Sequence, residues 1–546
     1  MNRGPIRRLL VANRGEIAIR ILRACRDLEI RGIAVFSDAD RRSMHVRYAD
    51  EAYNIGPPPA AESYLNIDRI IAVAKAAHAD AIHPGYGFLA ENPEFADACE
   101  REGIIFVGPP ARSMRLLGDK IAARNLMRQA GVPAAPAVSV LSHIPGLRRF
   151  VRPSGVPVVP GSGELRDFRH ARSAARSIGY PVLIKAAAGG GGRGIRTVRG
   201  EQDLASAMEL AAAEARTAFG NPAVYLEKLL SPVRHVEVQI IADSFGNVIT
   251  LNERECSLQR RHQKMIEESP SPVVTDDLRR RLNAAAILAA RAADYVNVGT
   301  VEFLLDPALN FYFLEMNTRL QVEHPVTEMV TGFDLVADQI RIASGLELGY
   351  SQEAVSRRGW AIECRIVAED PRANFMPSVG AIEYAQEPAG PGIRVESALY
   401  DGFEVSPYYD ALVAKVTAWG RDRREAIRRM RRALGEFKIA GVQTNIPMHI
   451  QVMHADEFLE GEFNTTFLET ALDLSQPTAH GDDEEAAIAA AAVLAYLGHG
   501  DGRPDEPAAG DATRKAGGRR LAARRSWSLD GWDAAGARGW RSPTGR

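Results

Sequence analysis

The hydrophobic pattern of the first 37 residues predicts a βαβ unit. Residues 6–12 form an apolar run of strand length, and residues 17–28 repeat their apolar positions every three or four residues, as an amphipathic helix does. Residues 32–37 form a second apolar strand. The turn at residues 13–16 holds a single glycine, which excludes a dinucleotide-binding fingerprint. Strands that alternate with helices in this way predict a parallel sheet.

The same alternation continues to residue 130. A helix is predicted over residues 68–79, and two further apolar strands follow. The first of these strands leads into a glycine-rich loop at residues 83–88, and loops at the carboxyl ends of parallel strands usually bind ligands. We therefore expect an open α/β domain over residues 1–130. Its last helix begins at Lys120, which is either a ligand of a nucleotide phosphate or a surface lysine.

A segment without clear periodicity comes next, followed by a glycine-rich loop. Residues 131–163 contain the similar segments GVPAAPAVS and GVPVVPGSG, and we interpret them as a linker with an insertion or a partial duplication. A strand carrying Lys185 then leads into four consecutive glycines. Backbone N–H groups of glycines can close over phosphates, and Lys185 would add a point charge. The alternative is a flexible hairpin tip.

Three polar stretches follow between residues 225 and 264. Residues 225–230 predict a strand edge suited to an adenine ring, and residues 235–239 alternate as a half-buried strand does. Residues 254–264 hold five cationic or potentially cationic side chains. Because no aromatic residues interleave and the chain is net acidic, we interpret this run as a phosphate and bicarbonate wall rather than a nucleic-acid patch. A solvated surface is the alternative. A helix is predicted over residues 276–293.

Residues 299–325 carry the densest set of candidate groups. Two β-rich arms, residues 300–305 and 311–315, flank a short turn and predict a hairpin. This register places Glu302 opposite Glu315. Two carboxylates held that close repel each other unless a cation or a proton lies between them.

The second arm of this hairpin would extend the candidate site if it stays extended, because alternate side chains then point the same way. That face would carry Glu315, Asn317, Arg319, Gln321 and Glu323. Mg²⁺ takes oxygen ligands and shares them with substrate phosphates. We therefore interpret Glu302, Glu315 and Asn317 as an Mg-ATP clamp, and residues 319–323 as a pocket for a small oxyanion. An edge hairpin with a solvated polar face is the alternative.

The remaining pattern predicts a mixed α/β domain over residues 346–473. The strand at residues 360–368 carries Glu363 and Arg365 on one face. Residues 474–546 contain too little apolar surface for a core and predict a disordered tail, or alternatively a tail that docks on a partner through its tryptophans. The other predicted elements are a helix at residues 334–344, strands at 380–384, 393–397 and 414–419, and a helix at 424–434.

Composition narrows the class of protein. The chain has 546 residues, of which 46% are hydrophobic and 25% charged, as in a globular protein of several domains. A net charge of −2 indicates neither a nucleic-acid nor a membrane partner. Four widely spaced cysteines indicate reduced thiols rather than disulfides or a zinc site. With no secretory signal and no membrane-spanning run, we expect a cytoplasmic protein.

Six segments together resemble the biotin carboxylase family of ATP-grasp enzymes. The resemblance runs from about residue 6 to 450 and is interrupted near residues 131–154. It implies an α/β multidomain fold: the N-terminal open parallel domain at 1–130, the linker at 131–163, ATP-grasp domains with a mobile glycine-rich lid at 164–230 and a core at 231–345, the C-terminal mixed α/β domain at 346–473, and the tail. The six segments are ANRGEIAIRILRAC, HPGYGFLAEN, KAAAGGGGRG, ERECSLQRRHQK, EMNTRLQVEHPVTE and ECRIVAEDP.

The resemblance also implies roles by motif position. Glu302, Glu315 and Asn317 would hold magnesium or manganese. Arg365 and Tyr86 would face biotin, and Glu323 would act as the general base. Bicarbonate would be held by Lys264, Arg319, Gln321, Val322 and Glu323. ATP would be bound by Lys120, Lys185, Gly190, Gly191, Gly192, Glu227, Lys228, Leu230, His235, Gln259 and His262.

The implied activity is the ATP-dependent carboxylation of biotin by bicarbonate through carboxyphosphate. A biotin-attachment motif of the Met-Lys-Met type is not found in the sequence. The resemblance thus implies that a separate carrier protein presents biotin, that carboxyltransferase subunits are further partners, and that the chain forms a homodimer. The final acceptor stays open between acetyl-CoA, which would serve fatty acid biosynthesis, propionyl-CoA and pyruvate.

Two other functions remain open at this point. Another ATP-grasp ligase, such as one similar to carbamoyl phosphate synthetase, would share Lys185, Glu302 and Glu315 but lack the combination of Arg319, Glu323 and Arg365. A catalytically impaired regulatory subunit would be indicated by loss of Lys264, Glu315 or Glu323. Those side chains are present, although an insertion before the lid could misplace it.

Overall fold

The N-terminal part of the molecule is an open parallel sheet. The computed structural model describes residues 5–130, 159–187 and 195–472. Its first elements are β1 (Arg8–Val11), α1 (Gly15–Asp27), β2 (Arg31–Phe36), α2 (Met44–Tyr48), β3 (Glu51–Asn54), α3 (Ile67–Ala76), β4 (Ala81–His83), α4 (Pro93–Arg101), β5 (Ile105–Phe106), α5 (Ala111–Gly118) and α6 (Lys120–Gln129). The predicted βαβ unit is confirmed.

The strand order of this sheet is β3-β2-β1-β4-β5, with all neighbours parallel. The connections reverse direction between β1 and β4, which makes this pair the switch point of the sheet. Ligands of open parallel sheets bind in the crevice outside the carboxyl ends of the strands at such a point. Two loops occupy this place, one at residues 12–14 after β1 and one at residues 84–88 after β4.

The second part is a small antiparallel sheet in the order β6-β9-β7-β8, covered by two helices. The residues at 161–163, predicted as the end of the linker, lie in β6 instead, where the Ser162 hydroxyl accepts a hydrogen bond from the Leu226 amide at 2.9 Å. The rest of the linker and the glycines at 189–192 lie outside the described residues. The elements are β6 (Gly161–Glu164), α7 (Phe168–Ile178), β7 (Val182–Ala186), β8 (Arg196–Val198), α8 (Leu204–Phe219) and β9 (Val224–Lys228).

The third part is built on one long antiparallel sheet that begins in the central segment and continues into the C-terminal segment. Its elements up to residue 367 are β10 (Arg234–Ala242), β11 (Val248–Arg260), β12 (Gln263–Ser269), α9 (Asp276–Ala292), β13 (Asn297–Leu305), β14 (Phe311–Asn317), α10 (His324–Thr331), α11 (Leu335–Ala343) and β15 (Trp360–Val367). The remaining elements are β16 (Glu369–Asp370), β17 (Met376–Pro377), β18 (Gly380–Ala381), β19 (Tyr384–Gln386), β20 (Ile393–Ser397), β21 (Glu404–Val405), β22 (Leu412–Gly420), α12 (Arg423–Glu436), β23 (Lys438–Ala440), α13 (Ile446–His454), α14 (Asp456–Glu460) and α15 (Phe467–Thr470).

The eight strands of this sheet follow the order β14-β13-β10-β11-β12-β15-β22-β20. Because β12 pairs with β15, side chains from the two segments lie on neighbouring strands. The alanine-rich helix α9 packs on the sheet through Leu282 and Ala286. The predicted strand over residues 380–384 is wrong: β18 pairs with β21 and β19 with β23, since the chain changes partners at Ile382. Of the helices in the described ranges, none is long and apolar enough to cross a membrane.

Candidate active site

The predicted hairpin is confirmed. Strands β13 and β14 pair antiparallel, and Glu302 lies opposite Glu315. The Asp306 carboxylate closes the turn by accepting hydrogen bonds from the backbone amides of Ala308 and Asn310, both at 2.9 Å. The turn geometry therefore sets the register, and the register sets the carboxylate pair.

The second arm does not stay extended, which corrects the predicted single face of alternating side chains. Strand β14 ends at Asn317, and helix α10 begins at His324 with Glu323 as its N-cap. Pro325 occupies the first turn of that helix, a position that proline favours because its missing N–H has no partner there. The chain between Asn317 and Glu323 therefore curls back over the sheet, and the candidate side chains converge by folding rather than by alternation.

A row of acidic side chains crosses the sheet at this point. Glu237 on β10 lies opposite Glu302 on β13, which lies opposite Glu315 on β14. On the other side of Glu237, strand β11 places Arg254 opposite it. Carboxylates in such a row require cations between them.

Lys264 supplies the central cation of this row. Its Nζ lies 2.5 Å from Glu237, 2.9 Å from Glu302 and 2.6 Å from Glu323. Burial disfavours the charged ammonium, but the three carboxylates outweigh burial and hold the pKa of Lys264 well above its usual value. Lys264 is thus charged, and it joins the row to the helix cap at Glu323.

Neutral and cationic groups complete the shell around Glu302. Its Oε1 accepts hydrogen bonds from the amides of Asn317, at 2.8 Å, and Gln321, at 3.0 Å. Its Oε2 lies 3.1 Å from His235 Nε2, and Gln259 contacts the other ring nitrogen of His235 at 2.7 Å. Burial acts to raise the pKa of Glu302, but Lys264 and His235 lower this pKa by more than burial raises it, so the carboxylate stays ionised.

Glu323 lies between two cations. Arg365 on β15 donates from Nη2 to Glu323 Oε2 at 2.9 Å, while Lys264 contacts Oε1. Burial acts to raise the pKa of Glu323, but Lys264, Arg365 and Arg254 together lower it well below its usual range. Arg365 also donates from Nε to Glu267 at 2.6 Å. Glu323 is therefore an ionised, fully enclosed carboxylate.

The outer wall of the site contains Arg319 and Lys120. Arg319 donates from Nε to Glu91 at 3.0 Å and from Nη2 to the Asn317 side-chain oxygen at 3.4 Å. Lys120, the first residue of α6, lies 3.0 Å from Glu315. The charge of Glu315 raises the pKa of Lys120 more than burial lowers it. Glu315 is less enclosed than Glu302 and remains accessible to a ligand.

The strands of the second sheet bring further predicted residues together. Lys185 on β7 and Glu227 on β9 form an ion pair, and Arg124 pairs with the same carboxylate. His262 lies in the turn between β11 and β12, where partial burial of the ring and the charge of Lys185 lower its pKa. The remaining predicted ATP ligand of this sheet, Leu230, is half-buried just after β9.

Six predicted site residues remain. Lys228 and Val322 already form hydrogen bonds within the protein, Tyr86 has a hydroxyl without a partner in the described residues, and the other three lie outside those residues. The Lys228 ammonium donates to the carbonyls of Gly179 and Tyr180, both at 2.9 Å, so its side chain is engaged in the protein. The Val322 carbonyl accepts a hydrogen bond from Lys415 at 2.8 Å. The Tyr86 hydroxyl has no hydrogen-bond partner within the described part of the chain. Gly190, Gly191 and Gly192 lie outside the described residues.

The predicted phosphate wall at residues 254–264 is wrong as a single surface. Arg254 is fully buried and donates to Glu237, Gln239 and Gln321, among other acceptors. Arg260 and Arg261 instead reach Asn374. Strand alternation separates side chains that are neighbours in sequence, so Arg254 and Lys264 of this run reach the carboxylate row, whereas Arg260 and Arg261 do not.

The comparison with known proteins decides the family. Family models match residues 5–114 as biotin carboxylase N-terminal domain, residues 147–351 as carbamoyl-phosphate synthase L chain ATP binding domain, and residues 363–470 as biotin carboxylase C-terminal domain. The chain is 52% identical over 467 residues to Biotin carboxylase 1 of Bacillus subtilis. The aligned region covers 85% of this chain and 98% of that protein. The chain belongs to the biotin carboxylase family.

Two further likenesses extend this result. The biotin carboxylase of Pseudomonas aeruginosa is 50% identical over 471 residues, or 86% of this chain and 100% of that protein. The solved biotin carboxylase domain dimer of Hydrogenobacter thermophilus 2-oxoglutarate carboxylase, in complex with MgADP, ADP and bicarbonate, matches with a TM-score of 0.80 and 46% identity over 86% of this chain and 99% of that one. The predicted fold class and the assignment to the ATP-grasp ligases are confirmed.

Several residues of this biotin carboxylase site were missed from the sequence. Glu237 has a local signal, because it alternates with His235 along one strand and so shares its face. Arg254, Arg124 and Glu267 have none, since their partners lie on strands or helices distant in sequence. Their places depend on strand pairing that the local pattern does not specify.

Proposed function

We propose that this chain catalyses the ATP-dependent carboxylation of biotin on a separate carrier protein, with bicarbonate as the carboxyl source. One observation carries the proposal: Lys264 and Arg365 converge on the ionised Glu323 directly beside the carboxylate of Glu302. A base flanked by two cations suits an oxyanion that must lose a proton. The adjoining carboxylates suit a metal ion bound to ATP, and the γ-phosphate of this ATP is the group that the deprotonated oxyanion must attack.

ATP would bind between the second sheet and the central sheet. We assign Lys185 to the phosphates, as a buried ammonium that now pairs with Glu227. The strand edge at Lys228 would read adenine through its backbone, because the Lys228 side chain is engaged elsewhere. Lys120 and Glu227 would complete the nucleotide contacts, together with Leu230, His235, Gln259, His262 and the glycines Gly190, Gly191 and Gly192.

The donor set at Glu302, Glu315 and Asn317 fits Mg²⁺ or Mn²⁺. It consists of two carboxylates on directly paired positions and one side-chain amide, and hard divalent cations favour such oxygen ligands. Glu315 keeps a side-chain exposure of 29%, which leaves it open to a metal carried in with ATP. When bound there, Mg²⁺ would offset the charge of the phosphates.

Bicarbonate would lie between Lys264, Arg319 and Glu323, with Gln321 and Val322 lining the pocket. Glu323 takes the proton of bicarbonate, and the freed oxygen attacks the γ-phosphorus of ATP while the bond to ADP breaks. The product, carboxyphosphate, then splits into CO₂ and phosphate. Because Lys264 and Arg365 hold the pKa of Glu323 low, Glu323 is ionised from the start but gains basicity only as the substrate takes over these contacts.

Biotin would lie between Arg365 and Tyr86. Phosphate takes the proton from the ureido nitrogen, and this nitrogen forms its bond to CO₂. Arg365 would stabilise the negative charge that develops on the ureido oxygen. Among the residues that the structure describes, the Tyr86 hydroxyl at the switch point of the N-terminal sheet has no hydrogen-bond partner, which supports a ligand contact there.

The organisation of the enzyme follows from these assignments. We propose the domain division given above, except that the second sheet begins with β6 at Gly161, and we propose this sheet as a lid that excludes water from carboxyphosphate. We also propose a homodimer that works with a biotin carboxyl carrier and carboxyltransferase subunits. Acetyl-CoA, propionyl-CoA and pyruvate remain the candidate final acceptors. The four free, buried cysteines support a reducing compartment such as the cytoplasm.

The test is ADP release by purified protein with Mg-ATP, measured with and without bicarbonate and with and without free biotin. Turnover that requires bicarbonate and rises with biotin is the expected result. ATP cleavage that ignores bicarbonate would indicate a different ATP-grasp ligase. ATP binding without any turnover, even after carrier protein is added, would instead indicate a regulatory subunit.

A further inference from the structure

The turn between β1 and α1 has no role in the chemistry above, although it belongs to the first of the six marker segments. It lies at the switch point of the N-terminal sheet, at residues 12–14 and the start of α1. Two of its side chains, Asn13 and Glu16, are buried and contact different residues around the site.

Asn13 holds the loop that carries Tyr86. Its side-chain nitrogen donates to the carbonyls of Pro84 and Tyr86, both at 2.7 Å, and its oxygen accepts from the Arg14 amide at 2.8 Å. Gly85 between these carbonyls has φ +65°, and a Cβ there would come within 2.9 Å of the Asn13 nitrogen. The loop is therefore fitted closely against this single amide.

Glu16 is connected to Val322 through Lys415. The Lys415 ammonium on β22 is completely buried, lies 3.4 Å from Glu16 Oε2 and donates to the Val322 carbonyl at 2.8 Å. Val322 immediately precedes Glu323. Two contacts and one peptide bond thus connect the first helix to the proposed base.

The energetics of burial make this connection stiff. A buried ammonium costs several kcal/mol unless it is paired, and removing one partner leaves the other charge uncompensated. Neither carboxylate oxygen of Glu16 has a hydrogen-bond partner in the described ranges, so Lys415 is its cation. Glu363 and Glu396 also face Lys415. Lys415 therefore cannot leave its place without loss of pairing.

We propose that the turn between β1 and α1 is a positioning element with two arms, which approach each other where the Lys415 ammonium lies 5.6 Å from the Tyr86 ring centroid. Asn13 sets the place of Tyr86, and Glu16, acting through Lys415, sets the place of Val322 and Glu323. None of the three residues touches substrate. The proposal rests on the proposed function, and it explains why a domain that supplies two predicted contacts, Tyr86 and Lys120, carries so long a marker segment. Displacements of about 1 Å at a reacting group are enough to lower activity strongly.

The test is a crossover of Michaelis constants between two variants. Glu16→Gln replaces the carboxyl group that faces Lys415 with an amide, and we expect the KM for bicarbonate to rise about fivefold or more. The KM for free biotin should rise less than that for bicarbonate, since Lys415 lies 5.6 Å from the Tyr86 ring centroid. Asn13→Ala frees the Tyr86 loop, and the KM for free biotin should rise by a similar factor with that for bicarbonate little changed. The KM for ATP should stay within about twofold in both variants.

The matched control is Glu253→Gln, which weakens another buried ion pair, that of Glu253 with Arg279 at 2.7 Å, without contact to either arm. The proposal is wrong, and the turn is only structural, if Glu16→Gln and Asn13→Ala raise none of the KM values. It is also wrong if they raise the KM values for bicarbonate, free biotin and ATP to the same extent as Glu253→Gln raises them. Should Glu16→Gln fail to fold, the double variant Glu16→Gln/Lys415→Met leaves no unpaired member of that pair and must still raise the KM for bicarbonate.

Failure of the proposed function would look different. It would abolish bicarbonate-dependent ADP release in the unmodified chain, whereas failure of the positioning proposal leaves that activity intact and removes only the crossover. The unmodified chain is therefore measured first in every series.

Discussion

Two groups of buried carboxylates lie on opposite sides of Glu323. The groups differ in the number of cations available to each carboxylate. On the central-sheet side, Glu302 contacts both Lys264 and His235. On the C-terminal side, Glu267 and Glu363 depend on Arg365 and on Lys415, which Glu16 also uses. The pKa of Glu302 is held well below its usual value, whereas burial raises the pKa of Glu267 to about 8 and that of Glu363 to about 7.

Burial alone does not explain this difference, because all three carboxylates are nearly or fully inaccessible. The difference in pKa follows instead from the ratio of cations to carboxylates on each side of Glu323. Where the ratio is high, Coulomb attraction outweighs desolvation and the group stays ionised; where it is low, desolvation wins and the group keeps its proton. The hydrogen bonds agree, since Glu267 and Glu363 each have one oxygen without a partner in the described ranges, whereas Glu302 Oε1 accepts from Lys264, Asn317 and Gln321. The site therefore joins a charged half to a largely neutral half at Glu323.

The largest expected effect is that of Glu323→Gln. The amide keeps the shape of the side chain but cannot take a proton, so bicarbonate-dependent ADP release should fall by about a hundredfold to ten-thousandfold. ATP affinity, measured by titration calorimetry, should stay close to that of the unmodified chain. Wild-type turnover in this variant would remove Glu323 as the base.

A second change tests the cation ratio on the charged side. Lys264→Met leaves Glu237, Glu302 and Glu323 without their common cation, and the loss of one partner from a buried ion cluster should lower the free energy of unfolding by about 3 kcal/mol or more. Bicarbonate-dependent turnover should also fall about a hundredfold. Denaturant unfolding and ADP release measure the two effects.

Lys75→Met is the control for this change, since Lys75 is an exposed lysine with a 57% accessible side chain. It should leave both quantities unchanged. Equal stability of the Lys264 and Lys75 variants would mean that the carboxylates are not held ionised by Lys264, and the contrast between the two sides would be lost.

The neutral side is tested by Glu363→Gln through the pH dependence of stability. Unfolded, this carboxyl ionises near its ordinary value of 4.5, but folded it keeps its proton up to about pH 7. The unmodified protein therefore loses stability as pH rises from about 4.5 to 7, while the variant carries no such proton and Thr417 still has an acceptor. The variant should gain up to about 3 kcal/mol relative to the unmodified chain by pH 7.

Thermal unfolding between pH 5 and 8 measures this gain. The exposed Glu387→Gln is the control and should show a difference from the unmodified protein that does not change with pH. A stability difference for Glu363→Gln that is likewise constant over this range would mean that Glu363 is already ionised in the folded protein, and that its side of the site is not neutral.

The sequence was sufficient for features that depend on local pattern. The βαβ unit, the helix at Lys120 and the pairing of Glu302 with Glu315 follow from periodicity and turn length, which act over a few residues. The extension of the second arm beyond Asn317 failed because alternation was continued past a helix start that Pro325 marks.

Features that depend on distant pairing could not be predicted in the same way. Arg254 was grouped with its sequence neighbours, but the register of β11 against β10 places it opposite Glu237 and buries it. The cations of Glu323 come from β12 and β15, whose pairing joins two segments that the sequence divides into separate domains. Which carboxylate receives a cation is thus decided by sheet order, and the protonation states of the site follow from that order.

The smallest expected effect separates two carboxylates that share one arginine. Arg365 donates to both Glu323 and Glu267, so an isosteric amide at either position removes one potential charge from the same guanidinium. Since Glu267 keeps its proton up to about pH 8, Glu267→Gln at pH 7 replaces one neutral acceptor with another, and kcat/KM for biotin should change by no more than about twofold. Above pH 8 the unmodified enzyme gains a carboxylate that the variant lacks, and the two pH profiles should separate there. A large loss at pH 7, comparable to that of Glu323→Gln, would show that Glu267 acts on Arg365 as an ion and that both sides of the site are charged.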